Sequence, residues 1–115
     1  MNQDTERRKY IPVSTRKVTK KLFLDDIVCI EREYNEIVIR TLDGVITVRR
    51  GTLDVKSYIG ECEDFYQCHS YLLINMRNVA SMEDGLIVFT DGEKKKIGKR
   101  NYYKAKTAFA CYISR

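Results

Sequence analysis

Two Asp-Gly pairs constrain the fold of this chain more than any other feature, because each follows a run rich in β-branched residues. Asp43-Gly44 separates EIVIRTL (36–42) from VITV (45–48), and Asp91-Gly92 follows LIVFT (86–90). An Asp-Gly pair in this setting favours a tight hairpin, since the turn requires a positive φ angle that Gly adopts at little cost. The sequence therefore predicts two antiparallel hairpins.

Other short segments also have the composition of strands and are separated by turn residues. Glu83-Asp84-Gly85 marks a turn just before the second hairpin. The further predicted strands cover 26–32, 65–74, 78–82 and a segment through Lys96 and Ile97.

Two segments have the features of helices. Residues 52–60 begin with Thr52 as a candidate cap and end at Gly60. Residues 101–113 place apolar side chains at helical spacing after Asn101, which is a good N-cap. The predicted class is therefore mostly β, with small antiparallel sheets stacked compactly and one or two short helices.

The length of 115 residues corresponds to one domain. With 43% apolar residues the chain can bury a core, which excludes disorder of the whole chain. Residues 1–9, MNQDTERRK, are polar and charged, and we interpret them as a flexible arm or the end of a linker. The folded domain is assigned to residues 10–115.

Lysine and arginine outnumber the acidic residues by 21 to 16, which gives a net charge of +5 at pH 7. The cations cluster at 7–21 and at 94–106, whereas the middle of the chain is balanced or acidic. A basic domain attracts polyanions, with nucleic acid first and an anionic membrane or an acidic protein next. Plain solubility is the alternative that the net charge leaves open.

The four cysteines, Cys29, Cys62, Cys68 and Cys111, contain no C-x-x-C pair. The one histidine, His69, follows Cys68, and adjacent strand residues point to opposite faces, so the two cannot easily share an ion. No signal peptide opens the chain, and no apolar run approaches the length of a membrane span. We therefore expect reduced thiols in a cytoplasmic protein, with no metal, no cofactor and no membrane insertion.

Two roles stay open for Cys68. An exposed thiolate stabilised by neighbouring cations would allow a redox role, whereas a buried Cys68 would act as a small apolar side chain. No catalytic constellation is visible, because the chain has one histidine and no glycine loop that would cradle a phosphate. The sequence thus predicts a binding domain rather than an enzyme.

Five blocks, in their order along the chain, resemble the LytTR family of DNA-binding domains. DIVCIE at 26–31 is similar to the family's DI-x-YIE, and LDG at 42–44 precedes a strand and a short helix as in the family. FYQCHSYLLIN at 65–75 resembles FFR-x-H-x-SYLVN. The hairpin at 86–97 and GKRNY at 98–102 resemble the closing L-x-x-G-x-x-IPVSR-x-Y.

This resemblance covers roughly residues 10–115. It implies small antiparallel sheets whose loops, rather than a recognition helix, enter successive major grooves on one face of bent DNA. Family members are usually the effector half of a response regulator, behind a receiver domain in a sensor-kinase pathway. The chain departs from the family pattern at Gln67, Ser70, Tyr71 and 98–100, so the resemblance does not give the DNA sequence that it reads.

Two of the segments that the resemblance places on DNA are polar. In the turn Tyr34-Asn35-Glu36, Asn35 suits adenine and Glu36 suits the amino group of cytosine. Phosphates would repel Glu36, and an ordinary polar turn is an equal alternative. His69 and Ser70 occupy the second segment, where a neutral histidine could donate or accept a hydrogen bond, or could instead be buried between sheets.

Two basic segments lie further along the chain. Lys99-Arg100-Asn101 precedes the last helix, where a helix start favours a phosphate and Arg100 could instead pair with guanine. The family uses this position as a main DNA contact, and a solvated basic turn is the alternative. Lys94-Lys95-Lys96 would add DNA affinity that does not depend on sequence, or would protect a sheet edge from aggregation.

The residues and the resemblance together predict a domain that binds double-stranded DNA sequence-specifically. It would act as a bacterial transcriptional regulator, either within a two-component response regulator or alone. From the resemblance we expect paired direct repeats as the DNA site and a weak homodimer on DNA. The alternative is a basic β-domain that binds a protein or an anionic surface without preference for DNA sequence.

Overall fold

The computed structural model describes residues 8–115, which form ten strands and two helices. The strands are β1 (Tyr10–Ser14), β2 (Thr19–Phe23), β3 (Ile27–Arg32), β4 (Glu36–Thr41), β5 (Gly44–Arg49), β6 (Phe65–His69), β7 (Leu72–Asn75), β8 (Val79–Glu83), β9 (Leu86–Phe89) and β10 (Lys94–Lys96). The helices are α1 (Val55–Ile59) and α2 (Lys99–Ile113). The predicted class, mostly β with small sheets and one or two helices, is confirmed.

The strands form three antiparallel sheets. The largest has five strands in the order β5-β4-β3-β7-β6, and the second has three strands in the order β10-β9-β8. The third is the hairpin of β1 and β2. Within the largest sheet, short turns join β3 to β4, β4 to β5 and β6 to β7, whereas the longer segment 50–64, which contains α1, joins β5 to β6.

Both predicted Asp-Gly hairpins are present. In the first, Thr41 pairs with Gly44 around a loop of two residues, and Gly44 has a φ angle of 149°. In the second, the N–H of Gly92 donates to the carbonyl of Phe89 at 2.9 Å, and Gly92 has a φ angle of 90°. The predicted turn at Asp84-Gly85 joins β8 to β9 with φ angles of 54° and 80°.

The middle of the five-stranded sheet is buried on both faces, whereas the edge strand β5 is mostly exposed. On β7, Leu72 and Ile74 pack towards the three-stranded sheet and α2, whereas Leu73 packs towards the β1–β2 hairpin and α1. This alternation follows the period of two along a strand. A sheet covered on both sides explains why β3 is apolar on both of its faces.

Two buried asparagines join the turn after β7 to the segment before β3. The side-chain amide of Asn75 donates to the carbonyls of Leu24 and Ile27 at 3.0 and 2.8 Å. The amide of Asn78 donates to the carbonyls of Asp25 and Ile27 at 2.9 and 2.7 Å. A buried polar group without a partner costs about 1–3 kcal/mol, so these four bonds hold the short 3-10 turn before β3 in place.

The segment 65–74, predicted as one strand, instead forms the two strands β6 and β7. A turn at Ser70-Tyr71 separates them, and neither Gly nor Pro marks it in the sequence. The ring of His69 stabilises the turn, because its Nδ1 accepts a hydrogen bond from the N–H of Tyr71 at 3.2 Å. Because the His69 side chain, rather than a Gly or Pro, stabilises the turn, the turn could not be predicted from the sequence pattern.

The last helix begins earlier than predicted. Its N-cap is Gly98 rather than Asn101, and the N–H of Tyr102 donates to the carbonyl of Gly98 at 2.8 Å. Because the helix begins directly after Gly98, Lys99 and Arg100 lie in its first turn rather than in a loop before it. The side chain of Tyr102 is buried in the core and determines which face of the helix packs there.

The first helix is also shorter than predicted. It starts after Asp54, and the predicted cap Thr52 instead donates its hydroxyl to the carbonyl of Arg49 at 2.5 Å. Within residues 8–115, neither α1 nor α2 has the length and apolar character that crossing a membrane requires.

The basic tract near the N-terminus forms the β1–β2 hairpin, which covers one face of the five-stranded sheet. Most of the predicted arm at residues 1–9 lies outside the described residues, and that assignment stays a prediction. At the end of this segment, the guanidinium of Arg8 lies over the ring of Phe23, 4.1 Å from its centroid.

Candidate nucleic-acid interface

Three connecting segments lie together at one end of the five-stranded sheet: 33–35 after β3, 50–54 after β5, and 70–71 after β6. They meet because β3 is antiparallel to both β4 and β7, and β5 is antiparallel to β4. The backbone links two of them, since the N–H of Arg50 donates to the carbonyl of Asn35 at 2.8 Å, and the N–H of Arg32 at the end of β3 donates to the carbonyl of Tyr71 at 2.9 Å. We call these three segments the loop end.

A cleft of about 1130 Å³ opens at the loop end. Four predicted site residues line it: Tyr34 and Asn35 from one turn, and His69 and Ser70 from the other. Glu36 is the exposed first residue of β4 and borders a smaller depression beside Tyr34 and Asn35. The fold thus brings together two predicted segments that are far apart in sequence.

The ring of His69 is oriented by its own turn. Its Nδ1 accepts from the N–H of Tyr71, and the two rings meet edge to face with centroids 6.4 Å apart. The side-chain amide of Gln67 donates to the carbonyl of His69 at 2.6 Å. Because Nδ1 is an acceptor, the neutral ring carries its proton on Nε2, which is left to donate to a ligand.

Cys68 is a buried thiol beside His69. A β-bulge lies between Gln67 and His69, so the strict alternation of faces assumed for this pair does not hold. Burial raises the pKa of Cys68 to about 12, and Cys29 behind it contributes to the rise. In the described part of the chain, no three His, Cys, Asp or Glu side chains cluster as metal ligands would. Of the two roles left open for Cys68, the structure favours the buried apolar one.

The first turn of α2 presents two exposed cations, Lys99 and Arg100, together with the half-buried Asn101. The free N–H groups of a helix start add partial positive charge there. At the other end of α2, the hydroxyl of Tyr112 donates to Oδ1 of Asp64 at 2.7 Å, just before β6. The helix packs along β6 between these two ends.

The three consecutive lysines of β10 lie in different surroundings. Lys94 and Lys96 are exposed, whereas Lys95 forms an ion pair with Glu31 of β3 and its side chain is 21% exposed. Successive strand residues point to opposite faces, so the middle lysine points towards the five-stranded sheet. The structure therefore leaves two cations of this run, rather than three, facing solvent.

Sequence reasoning missed three cations that line the cleft: Arg32, Arg50 and Lys56. Within residues 8–115 none of them forms an ion pair with a carboxylate. Arg50 instead donates from Nη1 to the carbonyl of Tyr34 at 3.3 Å, which joins the ends of β5 and β3. Arg32 is the last residue of β3 and Arg50 directly follows β5, and both adjoin polar turns. A cation at the end of a strand beside a polar turn was the signal in the sequence that could have identified them.

Comparisons with known proteins identify the family of the chain and its fold. A family model described as the LytTr DNA-binding domain matches residues 17–110. No curated protein matches the chain. The fold is similar to that of a solved LytTr DNA-binding domain from a Bacillus cereus protein described as a methyl-accepting/DNA response regulator. The TM-score is 0.70 and the sequence identity is 11%, and the match covers 88% of this chain and 96% of that one. At that identity the likeness concerns the fold.

Proposed function

The chain belongs to the LytTR DNA-binding domain family, and on that premise we propose that it binds double-stranded DNA sequence-specifically through its loops. The observation that carries the proposal is the convergence of segments 33–35 and 70–71 at the loop end, where both expose polar side chains. A major groove about 12 Å wide admits a two-stranded β-ribbon as well as an α-helix, so turns at the ends of strands could enter it in place of a recognition helix. We propose further that the domain is the output module of a bacterial transcriptional regulator.

Base reading is assigned to the two turns. The amide of Asn35 can donate to and accept from adenine, and Glu36 can accept from the amino group of cytosine. Ser70 can bond to either kind of base edge, and the Nε2 proton of His69 suits an acceptor such as guanine O6 or a phosphate. Tyr34, whose side chain is 86% exposed, adds an apolar surface beside them.

A further contact is assigned to the start of α2. Because the last turn of α2 is tied to Asp64 and the helix packs along β6, we infer that its first turn is directed towards the end where β6 finishes at His69. The helix rises about 1.5 Å per residue, so Lys99 lies about 20 Å from Tyr112. Arg100 would then reach the same face of DNA as the turns and bind a guanine or a phosphate.

Phosphate contacts are assigned to exposed cations that lack acidic partners among residues 8–115. Among such cations we assign Lys94 and Lys96 on β10 and Lys99 on α2 to this role. Contacts of this kind give affinity that is independent of DNA sequence and falls with salt. Lys95 is neutralised by Glu31 and contributes little to this term.

Other parts of the proposal follow from family membership. We expect a site of paired direct repeats, with two copies of the domain in weak contact on DNA. A receiver domain within a sensor-kinase pathway would supply control, or the domain would act alone. Its place of action would be the cytoplasm, and the proposed activity needs neither a cofactor nor catalysis.

The test is a selection of random duplex DNA by the purified chain at two salt concentrations. We expect enrichment of a short motif, as a spaced repeat, that survives the higher salt. Binding without a motif that is lost on adding salt would contradict the proposal. That outcome would favour a basic β-domain for a protein or an anionic surface.

A further inference from the structure

The cleft at the loop end has an apolar floor that contact with DNA does not require. The half-buried side chains of Leu53, Val55 and Leu73 line it, next to the buried Ile30 and Ile37. Protein contacts to DNA are mostly polar bonds to phosphates, sugars and base edges. These three side chains also pack against the buried core beneath them, and because they are only half-buried they leave aliphatic surface open to a second kind of ligand.

The rim of the same cleft is cationic. The lining contains three cations, Arg32, Arg50 and Lys56, and one carboxylate, that of Asp54. The carboxylate of Asp54 would repel an anion on its own side of the rim. None of the three cations forms an ion pair within residues 8–115. A concave surface lined by charges of one sign concentrates ligands of the opposite sign.

We propose that this cleft binds a small amphiphilic anion, namely a single aliphatic chain that ends in a carboxylate. The chain would cover Leu53, Val55 and Leu73, and the carboxylate would lie among the cations of the rim. A volume of about 1130 Å³ is sufficient for a small molecule, since such sites usually measure about 300–1000 Å³. The lining of this cleft is about as polar as it is apolar, and small-molecule sites likewise combine apolar side chains with charged groups that set the orientation of the ligand.

The proposed ligand would control DNA binding, and this consequence rests on the proposed function. The cleft is also lined by Tyr34, Asn35, His69 and Ser70, which we assign to DNA. One cleft cannot hold the aliphatic chain and admit the DNA to these side chains at the same time. Ligand and DNA therefore exclude each other.

The first experiment omits DNA and titrates the whole chain with octanoate below its micelle concentration, following methyl resonances by NMR. We expect saturable shifts at Leu53, Val55 and Leu73, and weaker binding of the uncharged 1-octanol. Lys56→Ala, on the exposed surface of α1, should weaken octanoate up to about five-fold, since an exposed charge pair contributes up to about 1 kcal/mol. Lys17→Ala, an exposed cation outside the cleft lining, is the matched control and should leave binding unchanged.

Leu53→Ser tests the floor, and its thermal unfolding shows whether the variant folds. It should lower the affinity for octanoate and for 1-octanol alike. Equal binding of octanoate and 1-octanol by the natural chain, or no shifts at the three floor residues, would overturn the proposal. If Leu53→Ser fails to fold, the response of Lys56→Ala still decides, because that substitution lies at an exposed position.

The second experiment adds octanoate to the chain bound to its selected duplex. Release of DNA, weakened in Lys56→Ala, would support mutual exclusion, whereas binding of octanoate without release would overturn it. A failure to select any duplex would remove the proposed function but not the ligand site. The titration without DNA decides the ligand site by itself.

Discussion

The ammonium group of Lys95 in β10 is paired with the carboxylate of Glu31 in β3, and this ion pair joins the three-stranded sheet to the five-stranded sheet. The two side chains are 21% and 29% exposed, so water screens the pair only in part. A second pair joins β4 to the loop between β9 and β10, with Nη1 of Arg40 3.2 Å from Oε1 of Glu93. The middle lysine of a basic run thus has a structural partner while its two neighbours face solvent.

The first prediction concerns the stability that this pair provides. In a double-mutant cycle of Lys95→Met and Glu31→Gln, we expect a coupling energy of about 1 kcal/mol, at the upper end for pairs with some exposure. Urea unfolding of the natural chain, the two single variants and the double variant measures it. Additive effects of the two substitutions would show that the pair contributes no coupling.

The second prediction separates Lys94 and Lys96 from Lys95. Lys94→Ala and Lys96→Ala should each weaken binding to all duplexes alike and reduce the slope of log affinity against log salt by about 0.9. Lys95→Met is the matched control, because it removes the same charge from the middle of the run. Its salt slope should be unchanged, and an equal reduction there would contradict the assignment of Lys95 to Glu31.

The third prediction concerns the start of α2. Arg100→Ala should lower the affinity for the selected site by about 1–3 kcal/mol and relax specificity at one position if Arg100 reads a base. Binding to duplexes with single base changes measures both effects. Lys104→Ala, an exposed cation further along α2, should leave the specificity unchanged. Retention of full affinity and specificity by Arg100→Ala would remove Arg100 from the interface.

The fourth prediction concerns the buried amide of Asn78. Asn78→Ala removes two hydrogen bonds to the carbonyls of Asp25 and Ile27, so the free energy of unfolding should fall by about 2 kcal/mol. Urea unfolding is the measurement. Asn35→Ala, at an exposed turn, is the control and should lose DNA affinity while keeping stability. The opposite pattern would show that the two asparagines have been assigned to the wrong roles.

The fifth prediction concerns thiol reactivity. Burial raises the pKa of Cys29 to about 11 and that of Cys68 to about 12, whereas Cys111 is exposed. At about pH 8 iodoacetamide should therefore modify Cys111 readily and leave Cys29 and Cys68 intact until the chain unfolds, because the thiolate is the nucleophile. Mass spectrometry of the alkylated chain checks this. Rapid modification of Cys68 in the folded chain would restore a redox role for it.

The raised pKa values of Cys29 and Cys68 predict that the free energy of unfolding decreases at alkaline pH. Folding favours the neutral thiols of Cys29 and Cys68, because their pKa values in the folded chain lie above the value of about 8.5 in an unfolded chain. Their contribution is complete below about pH 8.5 and is lost as the pH rises towards the folded pKa values. Replacing Cys68 with Ala should therefore flatten the loss of stability at alkaline pH.

Much of the fold could be predicted because its signals are local. The Asp-Gly pairs at 43–44 and 91–92 determine two hairpins through the φ angle that Gly permits, and the β-branched runs beside them determine the strands. The order of these blocks along the chain also identified the family. The turn at Ser70-Tyr71 was missed because a ring nitrogen of His69 stabilises it, and no local composition marks that bond.

The sequence predicted individual residues of the candidate site but not how the fold brings them together. Sequence chemistry identified Asn35, His69 and Arg100 one by one, since each residue type has a fixed set of donors and acceptors. Only the antiparallel pairing of β3 with β4 and β7 placed Asn35 and His69 on one cleft, and the pairing of β4 with β5 added Arg50 to it. The pairing of Lys95 with Glu31 was likewise decided by the packing of one sheet on another, because contacts between residues distant in sequence depend on tertiary geometry and leave no local pattern.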